Sequence, residues 1–175
     1  MDKKVLTEKF LVKFNLPNLS KVDNLELNRR IYEQKQNFVF SPSNKYENIN
    51  ISFLQDVKWV SDYILEKLSV DQGKHTYVSD YFVNIQKPEH MSFKRNNINL
   101  NDIRNSCDYT CLFIVKGEGN LYLEYNDNIR KQQTFVEKIE ERSILIFNSD
   151  IEYYLDRNKA PYERTVLTFL LKRTC

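Results

Sequence analysis

The sequence predicts one mainly β domain with flanking helices, in which strands form a sandwich and N-terminal helices pack on a sheet. Three observations predict it. The length, 175 residues, suits one well-filled core, whereas two independent cores would each be small. Seven short strand-like runs follow Gly73, with turn signals between most of them. The segment before Gly73 is largely helical in its periodicity after one alternating run at its start. The expected division within the single domain 1–175 is therefore an N-terminal strand and helices over 1–72 and the strands of the sandwich over 73–175. Eleven Tyr and eleven Phe supply much of the apolar area, which suits sheets better than tight helical bundles.

In chain order, Leu6, Phe10, Val12 and Phe14 alternate with Thr7, Lys9, Leu11 and Lys13 well enough to predict a half-buried first strand that Pro17 stops. Ser20 precedes Val22, Leu25, Leu27 and Ile31, a weakly amphipathic run expected to be helical to about Gln36. Ser41 to Asn48 is loop by composition. Phe53, Val57, Val60, Ile64 and Leu68 recur at offsets of three and four, so Ser52 to Leu68 is the clearest helix. Trp59 lies at the edge of its apolar stripe and is expected to pack there. The strands are expected at Thr76 to Ile85, Tyr109 to Lys116, Asn120 to Tyr125, Gln132 to Ile139, Ser143 to Phe147, Glu152 to Leu155 and Arg164 to Lys172. Lys87-Pro88, Gly117-Glu-Gly119, Asn126-Asp-Asn128 and Lys159-Ala-Pro161 supply the turns.

Composition excludes several function classes. A balance of 26 basic against 24 acidic residues gives no excess that points to nucleic acid or an anionic membrane. Lys94-Arg95 and Lys172-Arg173 read as solvated surface pairs. No apolar run approaches the ~20 residues that span a bilayer, and the N-terminus lacks an apolar signal core, so a soluble protein made in a cytoplasm is expected. Cys107, Cys111 and Cys175 form no CxxC pair and are expected to be free thiols. One Ala, three Gly and abundant Asn, Lys, Ile, Tyr and Phe match the usage of AT-rich genomes, an association with viral sources rather than a physical deduction.

Tyr81-Phe-Val-Asn-Ile-Gln-Lys-Pro88, the apolar strands around Gly117-Glu-Gly119, and Glu141-Arg-Ser-Ile-Leu-Ile-Phe-Asn-Ser149 occur in an order that resembles phage-encoded proteins of the 2-oxoglutarate/iron(II) oxygenase family. In that family a stretch ending in Phe-Pro-Ser precedes the distal metal-binding His, an Asn-bearing loop, and an Arg that opens the last strand and grips the co-substrate carboxylate. Phe147-Asn-Ser149, Asn158 and Arg164 stand in those places. The resemblance covers roughly residues 76 to 172. It implies a double-stranded β-helix (jelly roll) with the N-terminal helices packed on its sheet.

The departures from the family bear on function. Its iron site takes two His and one carboxylate on one face. This chain has only His75 and His90, reads Met91-Ser-Phe-Lys-Arg-Asn-Asn97 where the first His-x-Asp pair belongs, and reads Glu152-Tyr153-Tyr154 where the distal His belongs. Lys94 and Arg95 would add positive charge beside a divalent cation. The expectation is a non-catalytic binding or structural protein without cofactor or metal, acting through other protein subunits, as a bacteriophage virion or assembly component made in the host cytoplasm. Two alternatives stand beside it. One is an oxygenase with a rearranged metal site built from His90, Asp150 and Glu152. The other is a sugar- or small-anion-binding module lined by Arg164, Tyr153 and Asn84, in which Arg164 either holds an anion or forms a surface ion pair with Glu163. The interface expected for assembly is the first strand, Leu6, Phe10, Val12 and Phe14, with pairing inside its own sheet as the competing reading.

Overall fold

The computed structural model describes residues 9–17, 23–34, 39–40, 45–47, 55–128 and 131–174. Their elements are β1 (Leu11–Asn15), α1 (Asn24–Gln34), β2 (Val39–Phe40), β3 (Lys45–Glu47), α2 (Gln55–Gln72), β4 (Thr76–Gln86), β5 (Tyr109–Lys116), β6 (Gly119–Asn128), β7 (Lys131–Ile139), β8 (Ser143–Asn148), β9 (Glu152–Leu155) and β10 (Arg164–Arg173). A short 3-10 turn, Ile103–Asn105, interrupts the β4–β5 connection. Seven strands form one sheet in the order β1-β8-β5-β10-β4-β3-β2, and three form a second, β7-β6-β9. From β4 onward the chain passes back and forth between the sheets with antiparallel pairing throughout, which is the double-stranded β-helix.

Alternation along each strand sets what lies on either side of the large sheet. On β5, Tyr109, Cys111, Phe113 and Val115 face the helices, and Leu112 and Ile114 face the small sheet. Covered on both faces, the strand has to be apolar at nearly every position, which is why its sequence reads YTCLFIVK. The outer core joins these residues to Leu27 and Ile31 of α1 and to Val57, Val60, Ile64 and Leu68 of α2. The inner core joins Leu145, Phe147 and Val166 of the large sheet to Leu121, Leu123, Ile139 and Leu155 of the small one.

Val57, Val60, Ile64 and Leu68 of the helix stripe read from sequence thus pack, with Trp59 partly buried beside them, and Ser52 and Phe53 lie outside the described residues. Val60 is fully buried, so Val60→Ala is expected to destabilise the fold by about 2 kcal/mol through lost burial and a residual cavity. Urea denaturation checks this, and an unchanged midpoint would place α2 outside the core.

Two expectations are corrected here. Leu25, read as part of the first helix's apolar run, is 74% exposed, because that helix turns Leu27 and Ile31 inward instead. The loop expected at 41–48 contains β3, which continues the large sheet by pairing with β4; its polar composition hides a strand held by main-chain bonds. The first strand pairs with β8 as the edge of the large sheet, which is the competing reading given above, and Phe10 and Phe14 pack on the helix-facing core. Val12 lies opposite Ile146 on the same face, and Leu6 lies outside the described residues.

Candidate functional site

The site is assembled from the inward-facing polar side chains between the two sheets. On β4, Val83 and Ile85 belong to the helix-facing core, so Phe82, Asn84 and Gln86 point the other way. By the same alternation Arg164 and Thr168 of β10 share the inner face with Val166. All of these residues are buried. Such polar groups have to be partnered inside the protein, and their partners define two clusters.

The first cluster forms where the long β4–β5 connection runs beside β9. Arg95 and Tyr153 exchange main-chain hydrogen bonds at 3.0 and 2.7 Å, and Asn97 N–H donates to the Ser149 carbonyl at 3.1 Å. The segment is therefore held like a short strand although its sequence has no strand pattern. Arg95 and Asn97, two apart on an extended chain, project to the same side. Asn97 Nδ2 donates to Tyr153 Oη (3.1 Å) and Thr110 Oγ1 (2.9 Å), and Thr110 Oγ1 is bonded in turn to Ser149 Oγ. Cys107 closes this network with its thiol on the Asn97 carbonyl and Ser149 Oγ, and burial pushes that thiol's pKa up, which keeps it protonated.

The Arg95 guanidinium lies over the rings of Phe82 and Tyr153, at 5.6 and 5.4 Å from their centroids. Its Nη2 donates to Asn84 Oδ1 at 2.7 Å, and Asn84 Nδ2 donates to Thr168 Oγ1. Arg95 Nε and Nη1 are buried and have no hydrogen-bond partner among the described residues. Lys94, by contrast, points to the outer face of the small sheet and pairs with Glu124 and Glu152. The dipeptide read as one solvated pair thus divides between the two faces, because neighbouring residues on an extended segment point in opposite directions.

The second cluster centres on Arg164, 1% exposed. Its Nη1 donates to Gln86 Oε1 and the Asp156 carbonyl, and its Nη2 to the Glu118 carbonyl and Asp156 Oδ1, at 2.6 to 3.1 Å. Only Nε lacks an acceptor. Gly119 (φ +148°) leaves the room for this packing, since a Cβ there would collide with Arg164 Nη2 and Asp156 Oδ1. An open pocket of about 490 Å³ lies beyond it, with Lys138, Arg157, Lys159 and Tyr162 among its lining residues. The expected surface pair with Glu163 does not form, because Glu163 binds Tyr32 from the other side of the strand. Arg164 is instead a tie between β4, β10, the β5–β6 turn and the chain after β9.

Of the expected ligand-binding residues, the structure joins Tyr153 and Asn84 through Arg95 and leaves Arg164 in the other cluster. Sequence reasoning places Arg95 at the surface, because its polarity reads as a surface signal, whereas the structure turns it between the sheets. The one available hint was its position in the segment that the family resemblance aligns with the first metal-ligand pair.

The residues present do not fit the iron that the fold implies. The inward side chains at the two stretches in question are Arg95, Asn97 and Tyr153. A guanidinium offers only donors and stays charged, Asn97 turns its amide N–H groups to its neighbours, and Tyr153 Oη already accepts one of them. His90 is exposed in a turn, with Nδ1 on the Pro88 carbonyl. Asp150 pairs with Lys9 and Glu152 with Lys94. Among the described residues, no three His, Cys, Asp or Glu side chains gather so that they could hold a metal ion.

Comparison with solved structures shows what the scaffold is similar to. A 2OG-Fe(II) oxygenase family oxidoreductase from Burkholderia pseudomallei superposes with a TM-score of 0.61 at 13% identity, covering 94% of this chain and 84% of that one. A Pseudomonas putida prolyl-4-hydroxylase gives 0.63 at 12% identity, covering 94% and 93%. A prolyl hydroxylase from Trichoplax adhaerens, solved with a hypoxia inducible factor peptide, gives 0.63 at 14%, covering 93% and 83%. No family model and no curated protein matches the sequence. The chain thus has the fold of these oxygenases at identities that speak for the fold alone.

Proposed function

We propose that this chain is a non-catalytic binding protein built on the oxygenase double-stranded β-helix. The observation that carries the reading is the side-chain set between the sheets: Arg95 and Asn97, two apart, face Tyr153 at the stretches where the family resemblance places the iron ligands. A fixed positive charge there opposes a divalent cation. A fold does not preserve an activity once the residues that perform it are replaced.

Service as a subunit beside other proteins, in a virion or during its assembly, belongs to this proposal as its finer form. It draws on composition and on the use of jelly rolls as attachment and capsid modules. β1 is the edge strand of the large sheet, so the first strand remains the contact element of this proposal.

An iron oxygenase is the second reading, favoured by one observation: the structures superposed above are enzymes of that class. A turnover assay separates the two. Purified protein supplied with Fe(II), ascorbate, 2-oxoglutarate and air is expected to form no succinate above a protein-free blank. Succinate formation that scales with protein and is lost in His90→Ala would establish the oxygenase with a rearranged site.

A further inference from the structure

We infer that Arg95 anchors a binding site for a small oxyanion, a carboxylate foremost, between the two sheets. The inference deepens the binding-protein reading by naming a ligand class, and it rests on that reading's claim that a guanidinium stands where a metal would.

Arg164 and Arg95 both project between the sheets, and their partners Gln86 and Asn84 stand two residues apart on β4. Arg164 has a carboxylate partner, Asp156, at 2.9 Å, and acceptors for its Nη1 and Nη2 groups. This is how the fold satisfies a structural guanidinium. Arg95 has no ion-pair partner among the described residues, and its one hydrogen bond goes to Asn84, an uncharged amide. Its Nε and Nη1 together carry three N–H donors, all without an acceptor. Arginine cannot shed its proton to escape the cost of burial, so the charge remains. Ring faces of Phe82 and Tyr153 offset part of that cost, but they accept no N–H in the plane of the guanidinium.

A planar carboxylate supplies what is missing, a negative charge and in-plane acceptors matched to the guanidinium fork. Tyr153 adds a second donor, because its hydroxyl oxygen accepts from Asn97 and its own hydrogen has no acceptor among the described residues. The surroundings limit ligand size. Phe82, Asn84, Thr168 and Tyr153 are buried, and Arg95 and Asn97 are only partly exposed with Arg95 Nε and Nη1 themselves covered, so a ligand reaches these donors only if side chains of the 91–97 segment give way.

Thermal unfolding of the full chain in titrations with sodium acetate and sodium phosphate, at constant ionic strength, tests the site. Acetate at about 50 mM is expected to raise the Tm by about 3 °C as a ligand that binds only the folded state. In Arg95→Met, which keeps the side chain's length without its charge, that rise is expected to vanish. Should the variant fail to fold, acetate line broadening in 1H NMR with the wild-type protein reports the same binding. A larger response to phosphate than to acetate would support the site and assign it to inorganic oxyanions. No response to either anion, or the same response in Arg95→Met, would overturn it, leaving Arg95 satisfied by water alone. The outcome is separate from the iron question: succinate formation would remove the binding-protein reading whatever acetate does, and absent anion binding would leave that reading in place.

Discussion

Arg164→Ala is expected to cost about 3–5 kcal/mol of folding stability, measured without any added ligand. The reason is the number of groups it would strand. Asp156 would lose the guanidinium that neutralises it, and Gln86 Oε1, the Asp156 carbonyl and the Glu118 carbonyl would each lose a donor. A buried charge left without its partner is far more destabilising than the net worth of the pair, because desolvation persists after attraction is gone. Arg164→Met combined with Asp156→Asn removes both charges and is expected to recover much of the loss. Urea midpoints of the three proteins decide the matter. A cost for Arg164→Ala below about 1 kcal/mol would mean that this arginine is not a structural tie but waits for an external carboxylate.

The other large effect is a gain. Arg95→His, Asn97→Asp and Tyr153→His, made together, are expected to convert the interior into a two-histidine, one-carboxylate site that retains one equivalent of Co(II) through desalting, where the parent retains none. The geometry behind this is direct. Arg95 and Tyr153 face each other across an antiparallel bridge, Asn97 lies two residues along on the same side, and Asn97 Nδ2 reaches Tyr153 Oη at 3.1 Å. Side chains that already converge on one point in three different chemistries can be exchanged for three that ligate. The variant loses the Asn84 and Thr110 contacts, so circular dichroism must first show that it folds. A folded triple variant that retains no Co(II) would mean that the three positions do not share a coordination point.

Much of the architecture was legible in the sequence, for a physical reason. The strands of the large sheet are covered on both faces, so Tyr109–Lys116, Ser143–Asn148 and Arg164–Arg173 show as apolar runs whose ends are marked by turn residues. The α2 stripe was legible because one helix face packs and the other is solvated. What failed to show was structure held mainly by main-chain bonds. β3 and the 91–97 segment have no apolar alternation, yet the sheet edges beside them fix both.

The candidate site was less legible than the fold. Position pointed to residues 91–97 and 152–154, but polarity pointed away, since a charged side chain in a loop-like stretch reads as solvent-facing. Arg95 and Lys94 illustrate the limit: the same charge on adjacent residues goes to opposite faces, and only the register of the segment against β9 decides which goes in. For Arg164, strand alternation alone separates it from Glu163, so its inward direction was available once the strand was placed.

On the proposed reading, a guanidinium, an amide and a phenol fill the interior place of a metal in this double-stranded β-helix. The most direct test is an anaerobic titration of the wild-type protein with Fe(II) in the presence of 2-oxoglutarate, followed by calorimetry and by metal analysis after desalting. No saturable heat is expected up to about 1 mM Fe(II), the range of unassisted surface sites, and no retained iron. One equivalent of iron bound tightly enough to survive desalting would contradict that reading.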